Sequence, residues 1–188
     1  MVYTMDVLEA IKTRRSIRKY KDTPVPEDVL NTVLEAARWA PSWANTQCTK
    51  YVVVRDPAAK AKLAEMVNKG NPSTEALKTA PIVIVACAEL RKSGYYKGEA
   101  VTDKGDYWFM FDVGIAMQNL ALAAHELGLG TVHVGHIPDS KKLGELLDLP
   151  EGIVAVEMTP LGYPAAKAKA PPRKELSEIV FYEKYGKH

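Results

Sequence analysis

Apolar positions change spacing along this chain, and each change predicts an element. From Val29, through Leu30, Val33 and Leu34, to Ala37 they recur at steps of three and four, as on one face of a helix. Pro26 suits the first position of that helix and Pro41 stops it. "KYVVVR" (50–55) and "PIVIVACA" (81–88) are short, β-branched and almost continuously apolar, the pattern of strands covered on both faces. "TVHVG" (131–135) and "GIVAVEMTPLGYP" (152–164) read as two more strands. A first helix, capped by Thr4, carries Val7, Leu8 and Ile11 on its apolar face. Asp56 and Pro57 open another helix towards Val67, Ser73 can cap a short one, and 139–148 is a fifth.

The stretch from Asp106 to Leu127 is apolar on nearly every side, which predicts a helix at the centre of its domain or in a subunit interface. Residues 89–105, polar with three glycines, read as a long loop, and long loops inside domains are often functional. The tail from Ala165 is rich in Ala, Pro and Lys, then turns apolar at "EIVFYEKY" (178–185). That return predicts docking, with a second subunit as one surface to receive it. The sum is an α+β chain, about four core strands with helices on both sides, and one domain over 1–188.

Composition narrows the partners. A formal net charge of +2 over 188 residues offers no global field for nucleic acid or an anionic membrane. The start has no apolar run behind a basic end, so no signal peptide is expected. The longest apolar segment, 108–124, falls short of the roughly 20 residues of a membrane span and contains Asp112, Gln118 and Asn119. Cys48 and Cys87 have no paired spacing for a metal or a redox couple, which points to a cytoplasmic protein with free thiols.

With so little net charge, any anion site must be local. "TRRSIRKY" (13–20) is the densest candidate: arginine forks match phosphate oxygens, and Ser16 adds a hydroxyl on the same side of an extended chain as Arg18. A solvated helix end would look the same. "APSWANTQ" (40–47) offers hydroxyls and amides able to read the edge of a flat heterocycle, or a plain Pro-Ser-Asn turn. "GLGTVHVG" (128–135) resembles a dinucleotide fingerprint, but a helix precedes it and a strand follows, the reverse of what that motif needs. Gly128 reads instead as a helix C-cap, and His125 as a complement to the helix dipole. His133 and His136 would lie on opposite faces of a strand, and no metal site is expected. Arg173 and Lys174 form a second basic pair in "PPRKELSEIVFY" (171–182), or a solvated tail.

In order along the chain, "RRSIRKYKDTPVPEDVLNTVLEAARWAPSWANTQ", "GLGTVHVGHI" and "PPRKELSEIVFY" together resemble the nitroreductase family of flavoproteins. The resemblance runs from about Met5 to Tyr185. It implies a sandwich whose mostly antiparallel sheet is flanked by helices. It also implies non-covalently bound flavin mononucleotide (FMN) at the interface of a homodimer, with the C-terminal arm on the partner. By position, Arg14, Arg15, Ser16 and Arg18 would hold the flavin phosphate and ribityl chain, and Arg173 and Lys174 would complete the clamp. Pro41, Ser42, Trp43 and Asn45, with Gln47 in the same motif, match a loop reaching the flavin of the other subunit. His133, Val134 and Gly135 fall where backbone passes behind the ring. After Asn-x-Gln the family commonly has Pro-Trp; this chain has Cys48-Thr49.

The implied activity is two-electron transfer from NADH or NADPH, by ping-pong hydride exchange at flavin N5, to a nitroaromatic, a quinone or a similar flat acceptor. No residue need act as a strong acid or base. Tyr95, Tyr96 and Trp108 are candidates for a lid over the substrate. Three alternatives stay open. One is a flavoprotein of the same fold with different chemistry (a dehalogenase, an enone reductase, a flavin-consuming enzyme). The others are a non-catalytic flavin binder and an anion- or nucleic-acid-binding module using "RRSIRKY".

Overall fold

A computed structural model describes residues 5–188. The chain folds as α+β, on an antiparallel sheet of β1 (Thr49–Val54), β2 (Ile82–Glu89), β5 (Gly130–Thr131) and β6 (Ile153–Gly162), in the order β1-β2-β6-β5. β2 is central because it is apolar at every step. Ile82, Ile84, Ala86 and Ala88 face one core, and Val83, Val85 and Cys87 the other. The first core is closed by α2 (Glu27–Arg38) and α5 (Trp108–Glu126). α3 (Pro57–Glu65), α4 (Thr74–Thr79) and α6 (Ser140–Leu146) lie in chain order around the second, through Leu63, Leu77 and Leu143. Each such side chain taken from water stabilises the fold by about 1.5–3 kcal/mol.

Local signals set the ends of elements. Asp56 caps α3 by accepting from Ala59 N, and Asp139 caps α6 by accepting from Lys142 N. α5 ends in a Schellman turn: Gly128 adopts φ +75°, its N–H meets His125 O, and Leu129 N reaches Ala124 O. β6 carries a bulge at Val156, where the register to β2 slips between Ala86 and Cys87.

Several expectations change. Thr4 lies outside the described residues, and α1 (Val7–Thr13) is capped by Asp6, whose side chain accepts from Leu8 N. The apolar face of α1 is not buried in the protomer: Val7, Leu8 and Ile11 stay exposed, and only Ala10 is covered. Pro26 is the N-cap of α2, with Glu27 its first helical residue. The 89–105 stretch contains a hairpin, β3 (Tyr95–Tyr96) with β4 (Glu99–Ala100), turning through left-handed Lys97 and Gly98. The expected strand at 131–135 pairs only at Gly130–Thr131 and touches β6 once more at Val134. The tail carries a single 3₁₀ turn, Leu176–Glu178, and Leu176, Ile179 and Tyr182 are exposed.

Candidate functional site

The basic segment is extended because it is stitched to the sheet. Arg14, the C-cap of α1, leaves the helix at φ −53°, ψ 135°. Ser16 bridges Thr131 in parallel and Ile17 N donates to Thr131 O at 2.9 Å. Gly130 permits this approach, since a Cβ there would lie 2.6 Å from Ile17 Cγ1. Lys21 N donates to Tyr163 O and Ala165 N to Lys19 O, so the start of the tail is drawn alongside.

That route brings basic groups from both ends of the sequence together. Arg14, Arg15, Ser16 and Arg18 line a cavity of about 390 Å³ with Lys169 and Arg173. A second cavity, of about 480 Å³, shares Arg14 and Arg15 and continues over Lys21, His125 and Leu129. Burial, then Arg15, then Arg173 pull the Arg14 pKa below the ordinary guanidinium value. His125, whose Nε2 lies 2.8 Å from Thr13 Oγ1, is lowered by burial and then by Arg14 and Arg15. Among the described residues no carboxylate forms an ion pair with Arg14, Arg15, Arg18 or Arg173. Arg15 is held by carbonyls, donating to Lys12 O and Arg14 O at 2.7 Å each. Arg18 Nε donates to Ser73 Oγ at 3.2 Å. Ser73 stands at the N-cap of α4, as expected, but its hydroxyl makes no capping hydrogen bond and accepts from Arg18 instead.

The 40–47 loop forms a separate locus. Pro41, Ser42 and Gln47 line a cavity of about 190 Å³ with Asp112, and none of them lines the two arginine cavities. The loop turns through three left-handed residues that are not glycine: Ala44, Asn45 and Gln47, at φ 45°, 55° and 50°. Asn45 N donates to Ser42 O, Thr46 N to Trp43 O, and Gln47 N to Ser42 Oγ. Trp43 N donates to both oxygens of Asp112 at 3.1 Å.

The remaining predicted residues sit elsewhere. Val134 exchanges both backbone hydrogen bonds with Met158, His133 Nδ1 lies 2.9 Å from Glu157 Oε1, and Gly135 is exposed; none lines the arginine cavities. His133 and His136 do not flank one strand, and His136 Nε2 instead lies 2.6 Å from Asn68 Nδ2. Tyr95 OH donates to Asp106 Oδ1, Tyr96 is exposed, and Trp108 stacks tilted on Phe111 at 5.8 Å. Lys174 is exposed beyond Arg173.

Three residues at these loci escaped sequence reasoning. Ser73 meets Arg18 across 55 positions, and nothing local marks it. Ser93 reaches Asp112 at 2.7 Å. Asp112 did leave a signal, a lone acid inside "WFMFDVGIAMQ".

Residues 11–163 match the sequence profile of the nitroreductase family. A protein of Methanothermobacter thermautotrophicus named NADH dehydrogenase/NAD(P)H nitroreductase is 38% identical over 167 residues, covering 87% of this chain and 80% of its own. Iodotyrosine deiodinase 1 of Rattus norvegicus is 30% identical, covering 94% and 69%. Among solved structures, the NADPH:FMN oxidoreductase of Vibrio harveyi complexed with NAD+ superposes with a TM-score of 0.84 at 27% identity, covering 97% of this chain and 79% of its own.

Proposed function

The chain belongs to the nitroreductase family, and from that premise we propose that it holds FMN between two copies of itself and passes electrons from NADH or NADPH to a flat aromatic acceptor. At the coarser level it is an NAD(P)H-dependent flavin oxidoreductase.

One observation carries the FMN reading: Arg14, Arg15 and Arg173 converge on one cavity without a carboxylate. Arg15 and Arg173 crowd Arg14 with like charge, so the site is short of negative charge, and a phosphate monoester dianion supplies what is missing. The donor set therefore fits the phosphate end of FMN. Arg14, Arg15 and Arg173 would hold the phosphate, with Ser16 and Lys174 as further donors. Arg18, fixed through Nε by Ser73, would present its remaining N–H groups to the rest of the cofactor. Flavin held there would supply the two-electron hydride chemistry between nicotinamide and acceptor, in the ping-pong order proposed. The residues of this chain orient and charge-balance, and no acid or base of the protein is required.

The homodimer is supported by apolar surface left open in the protomer: Leu8 and Ile11 on α1, Met110 and Phe111 on α5, Leu176 and Ile179 in the tail. A partner that covers these faces would bring its Ser42, Trp43, Asn45 and Gln47 to the flavin, with Pro41 at the loop's base and His133, Val134 and Gly135 behind the ring. Tyr95, Tyr96 and Trp108 would border the acceptor. The whole chain is one domain. Cys48 and Cys87, both buried and unpaired, fit a cytoplasmic setting. No helix among the described residues is long and apolar enough to cross a membrane.

The deciding experiment is the visible spectrum of purified protein, followed by anaerobic NADH and NADPH. Flavin bands that bleach with either nucleotide are expected. A colourless protein that ignores added FMN overturns the reading, and bands that neither nucleotide bleaches mark a flavin binder without turnover. A second reading, reductive dehalogenation, is favoured by the likeness to the deiodinase. Comparing turnover of a nitroaromatic, a quinone and an iodinated phenol on the reduced protein separates the two.

A further inference from the structure

Resting on the flavin reading above, we propose that Asp112 is a positioning residue: its buried carboxylate holds the 42–47 loop in the shape that meets the cofactor and ties that loop to the hairpin at 93–100. Asp112 is 2% exposed and is the one buried carboxylate among the described residues. Three segments converge on it. Trp43 N donates to both oxygens at 3.1 Å, Ser93 Oγ donates at 2.7 Å, and Cys48 Sγ approaches at 3.6 Å. Among the described residues no cation forms an ion pair with it.

Taking a carboxyl group out of water is unfavourable for the fold on its own account. What it holds explains its presence. Ala44, Asn45 and Gln47 are all left-handed, a conformation that Asn tolerates but that is disfavoured for Ala44 and Gln47. The bonds inside the loop shape the turn but do not attach it to the body of the protein. The bond from Trp43 N to Asp112 does, and it fixes where the Asn45 and Gln47 amides sit. Ser93, on the same carboxylate, leads into the hairpin that carries Tyr95 and Tyr96. Loop and hairpin thus share one anchor, and a shift of either is felt by the other.

The test uses apo forms of the wild type, Asp112→Ala, Asp112→Asn and Ser93→Ala. FMN is titrated by quenching of its fluorescence, and amide hydrogen exchange is recorded without flavin. Asp112→Ala is expected to weaken FMN binding about ten- to hundredfold, the share carried by the Trp43 N tether among the hydrogen bonds it removes. Its exchange should rise at 40–49 and 90–100 only. Asp112→Asn keeps an acceptor for Trp43 N and should stay within about fivefold of wild type. Ser93→Ala should speed exchange in the hairpin alone. Wild-type affinity with unchanged exchange at 40–49 in Asp112→Ala overturns the proposal, as does a uniform rise through β2 and α5, which marks a merely structural group. If Asp112→Ala does not fold, unchanged exchange in both remaining variants overturns it. A wild type that ignores FMN overturns the flavin reading, while the exchange pattern still decides whether Asp112 anchors the loop.

Discussion

The arginine cradle and the 42–47 loop solve opposite problems. The cradle gathers like charges from residues 14–18 and 165–173 with no ion-paired carboxylate among the described residues, and its geometry is held by backbone ties to β5 and Tyr163. The loop is nearly neutral, left-handed at three positions, and fixed by one buried acid. The same physics shows at both. Burial and neighbouring arginines depress Arg14 and His125, whereas burial and then Asp112 push the Cys48 thiol up to about 11. If the cradle holds phosphate as proposed, the anion relieves the crowding that Arg15 and Arg173 impose on Arg14. A loop built this way is finished before binding, and what it contributes is shape.

The sharpest way to break the contrast is to change the sign of the cradle. Arg14→Glu puts an acid where a dianion is expected, and more than about a hundredfold loss of FMN affinity should follow. The variant should purify colourless yet match the melting temperature of the flavin-free wild type, since a cation under repulsion is replaced by an anion that Arg15 and Arg173 welcome. Full flavin occupancy in Arg14→Glu would move the phosphate elsewhere. Arg18→Ala is the milder probe. It removes charged hydrogen bonds and frees Ser73, and about ten- to hundredfold weaker binding is expected by equilibrium dialysis. If it retains flavin fully, Arg18 does not touch the cofactor.

The two regions also differ in how far the sequence displayed them. The cradle was legible because charge is visible in composition: "RRSIR" and "PPRK" stand out from a chain of net charge +2. So were β2 and α5, where unbroken apolar runs leave few alternatives to burial. The loop was not legible as geometry. "SWAN" carries no glycine to announce left-handed turns, and its anchor lies 69 positions away. Propensity describes neighbours in sequence; Asp112 acts through neighbours in space. The 131–135 strand was legible only in part: Gly130 and Thr131 pair with the edge of β6 that β2 leaves open, and Val134 alone touches β6 beyond them. The apolar face of α1 was read correctly as apolar, but periodicity does not say what covers it.

Relaxing the loop without unhooking it gives a smaller effect. Ala44 sits at φ 45°, ψ 29° and is exposed, so Ala44→Gly removes a steric penalty and adds freedom to the unfolded chain. A net gain of about 0.5–1 kcal/mol in denaturant unfolding is expected, with FMN affinity unchanged. A stability gain accompanied by weaker flavin binding would mean that the strain itself, and not only the anchor, sets the loop's shape.

The smallest effect expected is in acid, and it belongs to the cradle alone. His125 faces Thr13, Arg14 and Arg15, with Glu9 and Glu126 opposing, and its pKa is lowered by burial first and by the arginines next. A histidine depressed in the fold binds fewer protons than its unfolded counterpart, so stability is complete above about pH 6.5 and is lost as pH falls below it. Phosphate seated on Arg14 and Arg15 cancels their share of that depression. The apo protein should therefore lose denaturant resistance as pH falls below about 6.5, millimolar inorganic phosphate should restore part of it, and His125→Gln should flatten both responses. An identical acid slope in His125→Gln would assign the loss to carboxylates outside the cradle. A phosphate effect that survives in Arg14→Glu would show that the anion stabilises the protein somewhere else.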